Sequence, residues 1–172
     1  MRGVGLLEVL LAAILLSIGL LASARLQIQG LADTQGAYAL SQAKYLALDM
    51  AERMRANKPG LRAGLYDGLE TASGTAVPDC VAGADPCSAA DRVAADRHAW
   101  SLALHPDHAA GQPVLPSSTE VAARGRVRRD AATGVYTVSV EWADRQSNSA
   151  SSADADVSAR SIALQVVPAS LP

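Results

Sequence analysis

The sequence predicts an α+β fold in which a long N-terminal helix, membrane-spanning in its first half, packs on a small antiparallel β-sheet. Three observations predict it. An apolar run over 4–24 passes, with no proline before Pro59, into helix-forming sequence that lasts to residue 57. The end of the chain switches to alternation with a period of two at 124–128, 136–142 and 161–167. Between these regions, 58–87 is rich in Gly, Pro, Ala and Asp and sustains neither period. A length of 172 residues suits one compact domain with an appendage. With no Phe, two Trp and four Tyr, the core must be built largely from Ala, Leu and Val.

The charge balance, 15 Lys+Arg against 17 Asp+Glu, gives the chain no global attraction for phosphate backbones or anionic lipid. The N-terminus decides the class instead. Residues 4–24 are apolar or small at every position except Glu8. As a helix rising about 1.5 Å per residue they reach roughly 31 Å, the depth of one hydrocarbon core of about 30 Å. Arg2 and Arg25 mark the two ends. An acid inside such a span costs about 2.5–3.5 kcal/mol at the centre and less toward an end, so Glu8 needs a reason. If the chain is cut after Gly3, the new α-amine of Val4 lies one turn from the Glu8 carboxylate. An amine within the same helix points along the axis while the side chain points sideways. The amine of a neighbouring copy is therefore the better partner, and the pair sets the axial offset between packed helices.

Arg2-Gly3 followed by Val4-Gly5-Leu6-Leu7-Glu8-Val9-Leu10-Leu11-Ala12 resembles the class III signal of type IV prepilins. The resemblance implies a leader at 1–3, cleavage between Gly3 and Val4 by prepilin peptidase, N-methylation of Val4, and an assembly contact from Glu8 to another pilin's N-terminus. It also implies a single-pass protein of the inner membrane, in contact with its lipid and assembly platform, whose C-terminal domain at 58–172 lies in the periplasm and later in an extracellular pilus. The competing reading of the run is an ordinary secretory signal cut after Ala22-Ser23-Ala24, which leaves Glu8 and the Gly3 junction unexplained.

Beyond the span, 25–57 reads as an amphipathic continuation of the same helix. Ala39, Ala43, Leu46, Met50 and Met54 recur at spacings of three and four, and Lys44, Asp49, Glu52, Arg53 and Arg55 fall outside that stripe, with Asp49 and Arg53 spaced to pair. Asn57-Lys58-Pro59-Gly60 stops it. The long loop that follows holds the only two cysteines, Cys80 and Cys87. Their pairing as a disulfide is expected to contribute roughly 2.5 kcal/mol on the chain-entropy model and implies an oxidising compartment. Two reduced thiols remain the alternative, and no second ligand pair supports zinc.

Ser88-Ala89-Ala90-Asp91 reads as a capping box, opening a helix with Val93, Arg97, Trp100 and Leu104 on one face and Pro106 at its end. Arg124, Arg126 and Arg128 alternate with Gly125 and Val127, Asp130 to Gly134 supplies a turn, and Tyr136, Val138, Val140 and Trp142 alternate with polar residues, which predicts a hairpin. After a Ser-rich loop at 145–158, a third antiparallel strand places Ile162, Leu164 and Val166 inward. The whole order resembles the pilin fold. The segments Asp96-Arg97-His98-Ala99-Trp100, Leu115-Pro116 and Gly134 to Trp142 are similar to minor pilins of the PilV type, known as type IV pilus modification proteins. This implies partnership with other major and minor pilins, and with a tip adhesin, in a complex that primes or tips a fibre used in adhesion. A type II secretion pseudopilin is the alternative within the fold, and a secreted enzyme or binding module the alternative outside it.

No nucleophile elbow, Walker loop or zinc-protease helix occurs, and no cofactor is called for. His98, His105 and His108 with Asp107, and the carboxylates Asp144, Asp154 and Asp156, read as solvated or capping groups rather than as metal ligands. Arg124, Arg126, Arg128 and Arg129 are the only dense basic cluster. They form a candidate partner surface for an acidic pilin. A row of strand arginines could also track phosphates, but a solvated face, or an edge guarded by charge, explains the alternation without DNA.

Overall fold

A computed structural model of the chain describes residues 5–83, 86–105, 114–117, 121–145 and 157–168. The elements are α1 (Leu6–Ala56), α2 (Lys58–Arg62), α3 (Asp79–Ala82), α4 (Ala89–Leu104), β1 (Arg124–Arg129), β2 (Tyr136–Arg145) and β3 (Val157–Val166). The chain divides into two compact units, Met1–Ala37 and Tyr38–Pro172, and α1 contributes to both.

In the first unit, α1 carries apolar side chains with no buried stripe. Two of its hydroxyls bond back to the preceding turn, Ser17 Oγ to the Ala13 carbonyl at 2.6 Å and Thr34 Oγ1 to the Gly30 carbonyl at 2.8 Å. Polar atoms within an apolar helix are thereby satisfied without a partner.

In the second unit, the C-terminal part of α1 buries Ala39, Ala43, Leu46, Ala47, Met50, Ala51 and Met54. These join one cluster with the inward face of the sheet, where Val127, Tyr136, Val138, Val140, Trp142 and Val166 are buried, and with Trp100 and Leu104 of α4. The stripe read from spacing is therefore core, and the fold class is the expected α+β one, a long helix on an antiparallel sheet. Among the described residues the strand order is β1-β2-β3, both pairs antiparallel. Asp130 shapes the hairpin turn, its Oδ1 accepting from the amides of Ala132 and Thr133 at 2.8 Å each, and Gly134 takes the positive φ of 73° that closes it.

Several boundaries differ from expectation. The 58–87 segment is not a uniform loop. Asn57, which follows the last residue of α1, caps α2 by accepting from the Gly60 amide, and Pro59 sits in the first turn, where its missing N–H costs nothing. The predicted Ser-rich loop at 145–158 is shorter, because β2 runs to Arg145 and β3 begins at Val157, these two residues pairing. Arg160 of β3 bonds Asp144 of β2 at 2.8 Å, a cross-strand ion pair that holds polar sequence in the sheet. Val166 is buried, whereas Ile162 and Leu164 are only half-buried. The capping box holds, with Ser88 accepting from the Asp91 amide and the Asp91 carboxylate accepting from the Ser88 amide, each at 3.2 Å. On that helix Arg97 is exposed, its Nε donating to the Glu70 carbonyl at 2.8 Å, rather than sharing the buried face of Trp100.

Candidate assembly helix and sheet surface

The apolar helix is unlike a core helix. An 18-residue window in α1 has a mean hydropathy of 2.4 and none of it is buried. Every large apolar side chain from Leu6 to Leu31 is between 49% and 86% exposed, on all sides of the helix. By length and composition such a helix is able to cross a membrane, a property that it shares with a signal sequence near an N-terminus. Glu8 lies in the first turn, its amide donating to the Gly5 carbonyl at 2.9 Å. A negative charge there is favoured by the helix dipole, by about 0.3–1 kcal/mol. Its side chain is exposed and makes no hydrogen bond or ion pair among the described residues. The proposed cleavage and methylation positions, Gly3 and Val4, lie outside the described residues.

In the second unit, the expected Cys80–Cys87 bond is present, with a Cα–Cα distance of 5.2 Å. Cys87 directly precedes the Ser88 cap, so the bond fixes the entry to α4. A polar lock holds the end of α1. Arg53 Nε donates to Asp49 Oδ2 at 2.8 Å, the i,i+4 pair read from sequence, and Arg53 Nη1 lies 3.5 Å from Asp96 Oδ1. Tyr66 Oη donates to Asp96 Oδ2 at 2.6 Å, and Asn57 Nδ2 donates to Tyr66 Oη at 3.1 Å and to the Ala89 carbonyl at 2.9 Å. Burial, and then the hydrogen bond to Asp96, push the Tyr66 phenol well above its ordinary range, and the hydrogen bond from Arg53 to Asp49 raises the guanidinium further. The phenol therefore stays neutral and the guanidinium charged at neutral pH.

Arg124, Arg126 and Arg128 point outward from β1 while Gly125 and Val127 point in. Sequence reasoning missed what meets them. Glu141, opposite Arg124 in register, takes its Nε at 2.5 Å, and this hydrogen bond holds the Glu141 carboxyl below the usual carboxylate range. Glu70 Oε1 lies 2.6 Å from Arg128 Nη2 and 3.3 Å from Arg126 Nε. Cross-strand spacing could have revealed the first partner, whereas Glu70, 54 or more residues from the arginines in sequence, left no local signal. Nor is the edge of β1 bare and guarded by charge: Val127 donates to the Leu69 carbonyl at 2.8 Å and Thr71 to the Gly125 carbonyl at 3.0 Å, so chain 69–71 covers it. Arg129 stands apart, its guanidinium 5.9 Å from the Tyr136 ring centroid.

The described histidines and aspartates are not gathered. His98 Nδ1 contacts Thr75 Oγ1 at 3.2 Å and the Thr75 carbonyl at 2.6 Å, Asp144 is paired with Arg160, and Asp107, His108, Asp154 and Asp156 lie outside the described residues. Among the described residues no group of three or more His, Cys, Asp or Glu could hold a metal ion.

Residues 25–98 match the Tt1218-like family, described as type IV pilin Tt1218. The matched stretch runs from Arg25 in α1 to His98 in α4, leaving Glu8 and the arginine row outside it. No curated protein and no solved structure gave a match. Over 25–98 the chain is thus similar to type IV pilins, and the long helix on an antiparallel sheet, with the apolar half of that helix exposed, is in keeping with that similarity.

Proposed function

We propose that the chain is a minor pilin of the type IV pilus, of the PilV type, which joins other minor pilins in a complex that initiates or tips the fibre. The observation that carries this reading is Glu8, a lone carboxylate in the first turn of a helix whose apolar side chains are exposed all round. In lipid or among like helices that carboxylate is costly until a positive charge meets it. Prepilin peptidase, cutting after Gly3, creates such a charge on Val4, and methylation leaves the amine cationic. Glu8 of a subunit already in the fibre draws in the amine of the next one and fixes the axial step between them. Before assembly the helix is anchored in the inner membrane with the folded unit in the periplasm. The assembly platform then transfers it among major and minor pilins, with a tip adhesin as a further neighbour.

Mass spectrometry of the protein from its native cell tests the processing: a chain beginning at methylated Val4 is expected, and an intact Met1 or a start at Arg25 would overturn the reading. Glu8→Ala tests the assembly role. It is expected to cut recovery in sheared surface fibres by about tenfold or more, the effect of losing one buried charge pair, with the melting temperature unchanged because the side chain is exposed and makes no hydrogen bond or ion pair among the described residues. Equal recovery of wild type and variant sinks the role given to Glu8. Wild-type chain found with secretion complexes and absent from surface pili assigns the subunit to a type II pseudopilus instead.

A further inference from the structure

We propose that the outer face of the sheet holds a carboxylate-binding subsite centred on Arg126, which receives an acidic side chain from a neighbouring pilin subunit. The subsite rests on geometry, and its occupant rests on the pilin reading above.

Three outward guanidiniums on β1 share two carboxylates. Glu141 hydrogen-bonds Arg124 and Glu70 hydrogen-bonds Arg128. The middle arginine is served differently. Glu70 Oε1 lies 3.3 Å from Arg126 Nε, an ion-pair distance, yet that Nε is a buried atom with no hydrogen-bond partner. A guanidinium carries five donors in a planar fork suited to a bidentate carboxylate; Glu70 holds the Arg126 group only at ion-pair distance from its buried Nε, and the side chain is still 37% exposed.

Beside it lies a depression of about 180 Å³ lined by Arg124, Arg126, Ser139, Glu141 and Ser161. The register explains its shape. Ser139 stands opposite Arg126 and Ser161 opposite Glu141, so short side chains on β2 and β3 leave a hollow between the long ones. Ser161 is exposed and offers its hydroxyl to that hollow, whereas Ser139 Oγ donates to the Arg126 carbonyl at 3.4 Å and shapes the floor. Guanidinium and hydroxyl donors around a concave polar floor select an oxyanion. The glutamates on the row disfavour a nucleic-acid backbone, which would bring repeated phosphates against Glu70 and Glu141. A single carboxylate in the hollow meets one such repulsion, from Glu141, against the attraction of two guanidiniums, Arg124 and Arg126.

Charge distribution points to a protein as the source. Three arginines and two glutamates give this face a net +1 in a chain of net −2, so the remainder carries net −3. A second copy packed alongside therefore brings a net negative charge toward this locally basic hollow, an arrangement that steers and orients docking.

The test uses the full chain in non-ionic detergent micelles with ¹⁵N-labelled arginine. Side-chain Nε–H signals are followed while hexaglutamate peptide or inorganic phosphate is added. The expected result is a saturable shift of Arg126 with hexaglutamate, abolished in Ser161→Asp; in Arg126→Gln the binding is read at Arg124, which lines the same hollow, and weakens about tenfold, as befits the loss of one charged hydrogen-bonding group. Ser161→Asp places a competing charge on an exposed strand position where folding is not at stake. Glu70→Gln should strengthen binding by freeing both neighbouring arginines. Absence of a saturable shift at Arg126, or equal shifts at exposed Arg92, would overturn the subsite. Saturation by phosphate alone would mean a free-oxyanion site and would overturn docking. In cells, Ser161→Asp should be processed normally but depleted from fibres. Normal incorporation despite lost peptide binding overturns the proposed occupant and leaves the Glu8 experiments standing, whereas failed processing of wild type at Gly3 strikes the pilin reading and not the subsite.

Discussion

Gly125 is the residue on which the seating of α4 against β1 turns. A Cβ at this position would lie 2.4 Å from Trp100 Cη2 and 2.6 Å from Cζ2, and Trp100 is fully buried in the core. The indole cannot withdraw without unpacking its neighbours. Gly125→Ala is therefore expected to destabilise the fold by about 1–3 kcal/mol through overpacking, measured by urea unfolding followed through tryptophan fluorescence. An unchanged midpoint would show that the indole moves freely. Tyr66 tests the polar lock in the same way. Tyr66→Phe removes the donor to Asp96 and the acceptor for Asn57, leaving partly buried groups short of a partner, and should cost about 1–3 kcal/mol. Asp96, His98 and Trp100, three residues of the segment that resembles the PilV type, are thus each engaged in holding the unit together.

At the scale of elements, the hairpin β1–β2 is held by charge as well as by ladder bonds. The Glu141 carboxyl is lowered first by its hydrogen bond from Arg124, and Asp130 is lowered by the amides of Thr133 and Ala132. A carboxyl whose folded value is depressed contributes stability above its unfolded value, and that contribution is lost as pH falls through the folded one. The melting temperature is expected to hold down to the ordinary glutamate value of 4.5 and to fall below it, with a shallower fall in Arg124→Gln. An identical profile for both proteins would deny the pair any role. Elements that rest on local chemistry were legible in sequence: the α1 stripe, the Ser88 box and the alternation of β2 all appear where spacing put them. Partnerships that cross the chain were not, and neither Glu70 on the arginines nor chain 69–71 on the edge of β1 has any local mark.

For the molecule as a whole, two constraints act on different units. The Cys80–Cys87 bond closes a short loop at the entry to α4. Reducing it with dithiothreitol is expected to lower unfolding stability by about 2 kcal/mol, read from the shift of the urea midpoint against a Cys80→Ser/Cys87→Ser control that reductant should not affect. The exposed apolar half of α1 is bounded by no such contact, so Glu8→Ala should leave that same midpoint alone while changing assembly. By itself the sequence determined the fold class of the chain, because hydrophobic length, helical spacing and strand alternation are local properties of consecutive residues. Only the tertiary structure decided which charges meet, since Glu70 reaches Arg126 and Arg128 through folding alone. A hollow beside Arg126 exists because register sets serines next to arginines, and register emerges only when the strands pair.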